Sequence, residues 1–439
     1  MAQLSYRAPK GTADMLPDVA RVWEHLLSVA QDLFARYGYE PLYTPVFEQT
    51  DVFVRGIGEA TDIVGKEMYT FLDKGNPPRS LTLRPEGTAS VVRAALEHGL
   101  TANGQSTKLY YAGPMFRYER PQAGRMRQFW QIGVEALGMP DSTADAEVIV
   151  LLMEFFVEAG VPLGNMRLLI NSMGDEKCRP AYRDTIAAFI RSHADDLCEE
   201  CVRRAGTNPL RAFDCKNEAC VAVMAKAPLL RDELCEECAA HYAAVKSNLD
   251  ALGVVYSEDS TLVRGLDYYT RTVFEVQAEG LGAQNAIGGG GRYDGLMELY
   301  GGQPTPGLGF ALGFERTMLA LQAAGVEVPR PEIAQVYVAR AVPELATEAF
   351  QVTQLLRAGD IAAEMDHQGR SLKAQMKAAD RLGASFVVLV GPDEVAAGQV
   401  TIRDMRTKQE RRVDTARLTD ELYEALADSC IEEPNDVNA

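Results

Sequence analysis

The 439-residue chain has no apolar run approaching the roughly 18 residues that would cross a membrane. Its start, Met-Ala-Gln-Leu-Ser-Tyr-Arg, lacks the apolar centre of a secretion signal. A cytoplasmic protein without a membrane partner is expected. There is no Gly-Lys-Ser/Thr phosphate loop, and the run Gly288 to Gly291 does not open a helix after a strand, so the two commonest nucleotide-binding loops are excluded. Positive charge is short overall: 44 Lys and Arg stand against 62 Asp and Glu, a net charge of −18. That balance excludes a nonspecific nucleic-acid coat, which works by neutralising phosphates. Any nucleic-acid partner must be met by local basic patches, and where they lie becomes informative.

What is present is an ordinary globular composition, 47% hydrophobic and 24% charged, at a length that suits two or three domains. The stretch Tyr110 to Gly138 carries the most information. Two alternating, aromatic-rich runs flank a polar segment with Arg120, Pro121, Gln122, Gly124 and Arg125, which reads as two antiparallel strands joined by a long loop. Successive strand side chains point to opposite faces. Phe129, Gln131, Gly133 and Glu135 therefore share one face, and Trp130, Ile132, Val134 and Ala136 the other. The same parity on the first strand puts Arg117 with Glu119, opposite Phe116 and Tyr118. One face is core, and the other suits an anionic, ring-bearing ligand. Arg120, Arg125 and Arg127 make the loop a candidate basic patch.

Upstream, Pro17 and Asp18 start an amphipathic helix that Gly38 ends, and two prolines in Glu40 to Glu48 favour a strand at a sheet edge or interface. Leu81 to Ala89 reads as a strand that breaks at Pro85 and turns into a helix near Thr88. Glu86 and Thr88 at that corner either cap the helix or face a cleft. A helix from about Ala144 to Ala159 and a strand near Leu168 to Ile170 follow. From about Asp175 to Gly253 the chain turns Cys-rich, charged and helical in period, as an insertion would.

Six of the eight cysteines fall between Cys198 and Cys238. The pairs Cys198/Cys201 and Cys235/Cys238 have the C-x-x-C spacing of a structural zinc site, and they equally fit reduced thiols on solvated helices. After the insertion, Arg264, Asp267, Tyr268 and Tyr269 crowd around Gly265 ahead of an alternating strand, Thr272 to Val276. Glycines at 307, 309 and 313 allow close backbone approach, and Arg316 sits at a helix start within reach of a phosphate. Past Pro331, strands and helices alternate as in a separate α/β domain with a largely parallel sheet. That domain carries Lys373, Lys377 and Arg381 on a helix and a basic hairpin from Val400 to Val413.

In this order the segments resemble the class II aminoacyl-tRNA synthetases, and among them the histidyl-tRNA synthetase family, over essentially the whole chain. Phe116-Arg-Tyr-Glu119, the Arg120-Pro-Gln loop and Arg125-Met-Arg-Gln-Phe129 look like the family's motif 2. Gly307 to Arg316 looks like motif 3, Glu40 to Phe53 like the weaker motif 1 at a dimer interface, and Leu262 to Tyr269 like the histidine-specific signature.

The resemblance implies an α+β fold, an antiparallel catalytic sheet flanked by helices, with residues 1–174 and 254–328 as its two parts. It also implies a helical insertion at 175–253, an anticodon-binding α/β domain at 329–431, a disordered tail at 432–439, and a homodimer. The implied activity is activation of L-histidine with ATP and Mg²⁺, then transfer to the 3′ end of tRNA-His. The alternative is a noncatalytic, synthetase-like regulatory subunit of ATP phosphoribosyltransferase, which is expected to lack both the Arg-Gly-Leu-Asp-Tyr-Tyr signature and the anticodon domain. By resemblance, Arg117 and Arg264 are catalytic. Arg117, Glu119, Arg125, Phe129 and Arg316 bind ATP. Histidine falls to Glu86, Gly87, Thr88, Arg117, Gln131, Glu135, Arg264, Tyr268 and Tyr269, and Arg120 and Gln122 meet the acceptor end of the tRNA.

Overall fold

The structure is a computed structural model and describes residues 6–58, 61–215, 217–263, 265–282, 285–328 and 335–431. Arg264 and the expected tail at 432–439 lie outside the described residues. The chain divides into two compact units, one up to Val328 and one from Pro329 on.

The first unit is built on an eight-stranded sheet. Its order is Glu40–Pro41, Thr107–Phe116, Gln128–Leu137, Gly307–Gly313, Ala286–Arg292, Thr270–Ala278, Met166–Ser172 and Ser257–Glu258. The inner pairs are antiparallel and only the two short edge strands pair in parallel. Proline at position 41 fits such an edge, where a missing N–H costs no ladder bond.

One face of this sheet is covered by helices. Pro17–Arg36 begins at a proline whose absent N–H is no loss in a first turn, and buries Trp23, Leu26, Ala30, Leu33 and Phe34 at helical spacing. Ser142–Glu158 is capped by Asp141, which accepts from the Thr143 N–H at 2.8 Å, and is apolar nearly all round because it lies under other elements. These helices meet Ile132, Val134 and Ala136 from one side of the central hairpin and Phe310 and Leu312 from the neighbouring strand. The alternation expected for the second hairpin strand is therefore observed. The first strand ends at Phe116, so Arg117 and Glu119 stand just past it, with one further backbone bond, Arg117 N to Arg127 O, at 2.9 Å.

A second, three-stranded sheet of Phe47–Gln49, Ser80–Leu83 and Thr70–Leu72 leaves Phe47, Phe71 and Leu72 exposed. The Cys-rich segment is helical as expected, with helices Arg179–Ser192, Glu199–Arg204, Glu218–Met224 and Glu236–Ala251. It does not enclose a core of its own. Tyr182, Ile186, Cys201, Leu210 and Met224 share one apolar cluster with Tyr268, Tyr269, Val273 and Tyr293. The expected grouping of Cys198, Cys201, Cys235 and Cys238 is corrected: Cys198 and Cys201 gather with Cys215 and Cys220, whereas Cys235 and Cys238 gather with Cys178 and Asp175. Motif spacing identified the pairs but not their long-range partners.

The second unit is a five-stranded sheet in the order Ala363–Met365, Val336–Arg340, Phe386–Val390, Gln399–Asp404, Glu410–Asp414. The first three strands run parallel and the last two form the antiparallel basic hairpin. Lys373, Lys377 and Arg381 are exposed along one face of Leu372–Leu382. In the hairpin several arginines are paired: Arg403 with Glu410 at 2.9 Å and Arg412 with Glu394 at 3.2 Å. Among the described residues no helix is long and apolar enough to cross a membrane.

Candidate active site

The uncovered face of the eight-stranded sheet carries a cavity of about 500 Å³, lined by Glu86, Thr88, Arg117, Glu119, Arg125, Phe129, Gln131, Tyr268, Tyr269 and Arg316. Those ten residues come from the strand-to-helix corner, the hairpin, the signature segment and the glycine-rich strand with its following helix. The sheet brings them together by register: Met115 lies opposite Phe129, Gly113 opposite Gln131, and Gln131 opposite Gly313 on the next strand.

At one end the geometry suits a ring and a phosphate. The Arg117 guanidinium lies 5.2 Å above the Phe129 ring centroid, and its Nε donates to the Pro85 carbonyl at 2.8 Å. That pair of contacts fixes the planar fork without using up its outer donors. Glu119 is paired with Arg125 at 3.0 Å. Arg316 donates to the Ala286 carbonyl at 2.8 Å and to the Gly124 carbonyl at 3.3 Å, so it ties the hairpin loop to the strand behind the cavity. Arg127 leans on the Tyr118 ring at 3.9 Å. Arg120 and Gln122 are exposed on the loop and line no part of the cavity, and Gln122 and Arg125 close its tip by reciprocal backbone bonds of 3.0 and 2.9 Å.

The other end is narrow, aromatic and acidic. Glu86 is buried, and its two oxygens accept from the N–H groups of Thr88 and Ala89, each at 2.8 Å. Both readings of this corner hold, since Glu86 caps the helix Thr88–Glu97 and also lines the cavity. Gly87 leaves room for Tyr111, whose ring carbons stand 2.3 Å from where a Cβ would be. Glu135 lies one layer below the lining, 1% exposed, where it accepts from Thr88 Oγ1 at 2.6 Å and from the Tyr293 hydroxyl. Burial pushes its carboxyl up to about 8, against the two hydroxyl bonds that favour the charged form. Burial likewise raises Glu86. The Tyr268 and Tyr269 rings meet at a tilt, centroids 4.7 Å apart, and Tyr268 meets Tyr293 edge-on at 5.6 Å. The Gln131 Oε1 is buried without a hydrogen-bond partner among the described residues, an acceptor for a ligand's donor.

Tyr111, Glu275, Tyr293 and Arg211 also line the cavity and are not among the residues expected there from the sequence. Tyr111 faces Gly133 across the hairpin, so strand parity places it with Gln131. Glu275 alternates with the buried Phe274 and Val276 and is legible in the same way. Tyr293 follows the glycine run. Arg211 comes from the insertion and donates to the Gly265 carbonyl, a contact across the chain that no local pattern announces.

The family model described as Histidyl-tRNA synthetase matches residues 11–317. The chain belongs to the histidyl-tRNA synthetase family. A second family model, Anticodon binding domain, matches residues 335–425. Histidine–tRNA ligase of Halothermothrix orenii is 49% identical over 423 residues, 96% of this chain and 100% of that protein. The apo histidyl-tRNA synthetase of S. aureus superposes with a TM-score of 0.80 at 37% identity, covering 95% of this chain and 99% of that one. A Bacillus halodurans protein described as an ATP phosphoribosyltransferase regulatory subunit/histidyl-tRNA synthetase superposes at 0.64 with 21% identity, over 89% of this chain and 99% of that one, which speaks to the fold alone. For a histidyl-tRNA synthetase the mixed α+β architecture, with an antiparallel catalytic sheet and a C-terminal α/β unit, is the family's own.

Proposed function

We propose that this cavity joins L-histidine to ATP, releases pyrophosphate, and then passes histidine to the 3′ end of tRNA-His. The chain is a histidine–tRNA ligase by family. The observation that carries the site assignment is one continuous cavity with the Arg117–Phe129 stack at one end and buried Glu86, Thr88 and Tyr268 at the other. The first end takes the nucleotide and the second the amino acid.

Histidine's carboxylate is already ionised and attacks the α-phosphorus directly, so no protein nucleophile or general base is required. What the step needs is alignment and neutralisation of charge on the phosphoryl oxygens. Arg117 supplies fixed donors, MgATP brings its own cation, and Arg264 is assigned as the second arginine from the signature it belongs to. Phe129 stacks on adenine and Glu119 receives its amino group, which requires Arg125 to leave Glu119 for the phosphates. Glu86, Gln131 and Glu135 answer the substrate's ammonium and imidazole N–H groups. A site whose own polar groups are left unpaired by the wrong ligand discriminates by about 10⁴ or more.

Arg120 and Gln122 on the exposed loop are the residues for the acceptor end. Lys373, Lys377, Arg381 and the basic hairpin are those for the anticodon side. Exposed Tyr43, Phe47, Phe71 and Leu72 are an apolar patch suited to a homodimer interface, and the enzyme works in the cytoplasm. The regulatory-subunit alternative is disfavoured by the signature and by the anticodon-binding unit.

Histidine-dependent ATP–pyrophosphate exchange followed by charging of tRNA-His tests the whole reading. A folded, Mg²⁺-supplied preparation without exchange sinks it. Arg264→Ala is expected to abolish exchange while ATP binding persists.

A further inference from the structure

The histidine-binding end is gripped from outside by the Cys-rich insertion, and the insertion holds two sulfur-rich clusters with no part in the chemistry above. In the first, the ligand atoms of Cys198, Cys201, Cys215 and Cys220 all lie within 4.8 Å of one another, and Cys198 and Cys215 Sγ are 3.9 Å apart. Four thiolates about 2.3 Å from one Zn²⁺ in a tetrahedron stand about 3.8 Å from each other. A disulfide would bring two sulfurs to about 2.05 Å. The Cys198 N–H points at Cys220 Sγ from 3.2 Å, the kind of outer hydrogen bond that steadies a metal-bound thiolate. The elements carrying these cysteines are helices of only 6 and 7 residues and a 3₁₀ turn, which depend on packing or a cross-link to keep their shape.

In the second cluster, the ligand atoms of Asp175, Cys178, Cys235 and Cys238 also lie within 4.8 Å of one another. The Asp175 Oδ1 is 3.6 Å from Cys178 Sγ and 3.8 Å from Cys235 Sγ. The oxygen–sulfur edge of a tetrahedral zinc site is about 3.5 Å. Arg271 stands 3.5 Å from the other carboxylate oxygen and holds it in place.

We propose that the insertion binds two structural Zn²⁺ ions, one in the four-thiolate site of Cys198, Cys201, Cys215 and Cys220 and one in the site of Asp175, Cys178, Cys235 and Cys238, and that together they clamp the segment that recognises histidine. The first site flanks Asn208, which donates to Asp267 at 2.8 Å, and Arg211, which donates to the Gly265 carbonyl. The second adjoins Arg179, which donates to the Tyr269 carbonyl, and draws in Arg271. The two ions thus fix what holds each end of Gly265 to Arg271. The metal assignment stands on the ligand geometry alone, and the clamping role rests on the proposed function.

The full chain, purified and dialysed against metal-free buffer, is expected to carry about two zinc ions, and about one in each of the double variants Cys198→Ser/Cys201→Ser and Cys235→Ser/Cys238→Ser. If the variants do not fold, the wild-type count and release of zinc by a mercurial thiol reagent decide. Little or no zinc with every thiol reacting natively overturns the proposal, as do paired cysteines in a non-reducing intact mass or iron in zinc's place. One zinc per chain overturns the two-site assignment. With zinc removed by chelator, the histidine KM is expected to rise at least about tenfold while the ATP KM stays within about twofold. Zinc present but without effect on the histidine KM overturns the clamp, whereas failure of exchange in the zinc-loaded protein is failure of the ligase reading instead.

Discussion

Thr88 donates its hydroxyl to Glu135 at 2.6 Å, joining the start of a helix to a strand 47 residues later. The bond lies beneath the narrow end of the cavity, the end proposed for the amino acid, and leaves a buried carboxyl there with hydroxyl partners, Thr88 and Tyr293, and no side-chain cation among its hydrogen-bond partners in the described residues. Such a group is costly when charged. It is tolerable in a site where the ligand brings the positive charge.

The cost has a pH signature. Glu135 is raised from 4.5 to about 8 by burial. The folded protein therefore holds a proton that the unfolded chain releases above about 4.5. Its contribution to stability is complete below that value, shrinks as pH rises, and is gone once pH passes about 8. By pH 7 the loss amounts to at most about 3 kcal/mol. Glu135→Gln has no proton to lose, so its melting temperature relative to wild type should climb between pH 5 and pH 8.5. Parallel melting curves across that range would contradict the assignment. Histidine, by pairing with the carboxylate, should narrow the difference.

Gly309 tests the same corner from the backbone side. A Cβ there would stand 2.1 Å from Glu135 Oε2 and 2.1 Å from the Val134 carbonyl. Gly309→Ala must both push the carboxylate away and bend the strand off the Val134 carbonyl, at a cost of about 1–3 kcal/mol or more. The histidine KM should rise at least about tenfold, with a much smaller change for ATP. Steady-state exchange kinetics with each substrate varied in turn will separate the two, and equal changes would place Gly309 in general packing instead.

Much of this site was legible in the chain because strand parity is a local rule. Phe129 and Gln131 follow from it, and so does Tyr111 on the facing strand, with Arg117 one residue beyond that strand's end. The helix through Leu26 and Phe34 and the alternation in the C-terminal unit are local in the same sense. What the sequence does not carry is partnership over distance. Nothing near Arg211 points to Gly265, and C-x-x-C spacing cannot say that Cys235 is met by Asp175 from 60 residues away. The shared core between the insertion and Tyr268 is hidden for the same reason.

The least legible of these partnerships also gives a stability prediction. Asp145 and Arg292 are paired at 0% and 1% side-chain exposure, with an Arg292 Nε contact of 3.2 Å, and His241 adds a contact at 3.3 Å. They join the covering helix Ser142–Glu158 to the glycine-rich strand. Removing Asp145 leaves the buried Arg292 with only the more exposed Asp294, 3.2 Å from its Nη1, as counter-charge, so Asp145→Ala should cost up to about 3–5 kcal/mol. Combining it with Arg292→Met should cost clearly less than the sum of the single changes. Urea unfolding of the four proteins in the cycle measures this, and strict additivity would refute the coupling.

The nucleotide end gives a prediction of opposite kinetic sense. Phe129 carries the Arg117 guanidinium 5.2 Å from its ring centroid and, under the proposed function, the adenine base as well. Base–aromatic stacking contributes about 1–3 kcal/mol, so Phe129→Leu should raise the ATP KM roughly tenfold or more. Because Arg117 loses its platform, kcat should also fall. Arg117→Lys keeps the charge but not the fork fixed by the Pro85 carbonyl at 2.8 Å, and should lower kcat by about 10²–10³. In both variants the histidine KM should hold nearly constant. A Phe129 variant that lost histidine affinity and kept that for ATP would reverse the assignment of the two ends of the cavity.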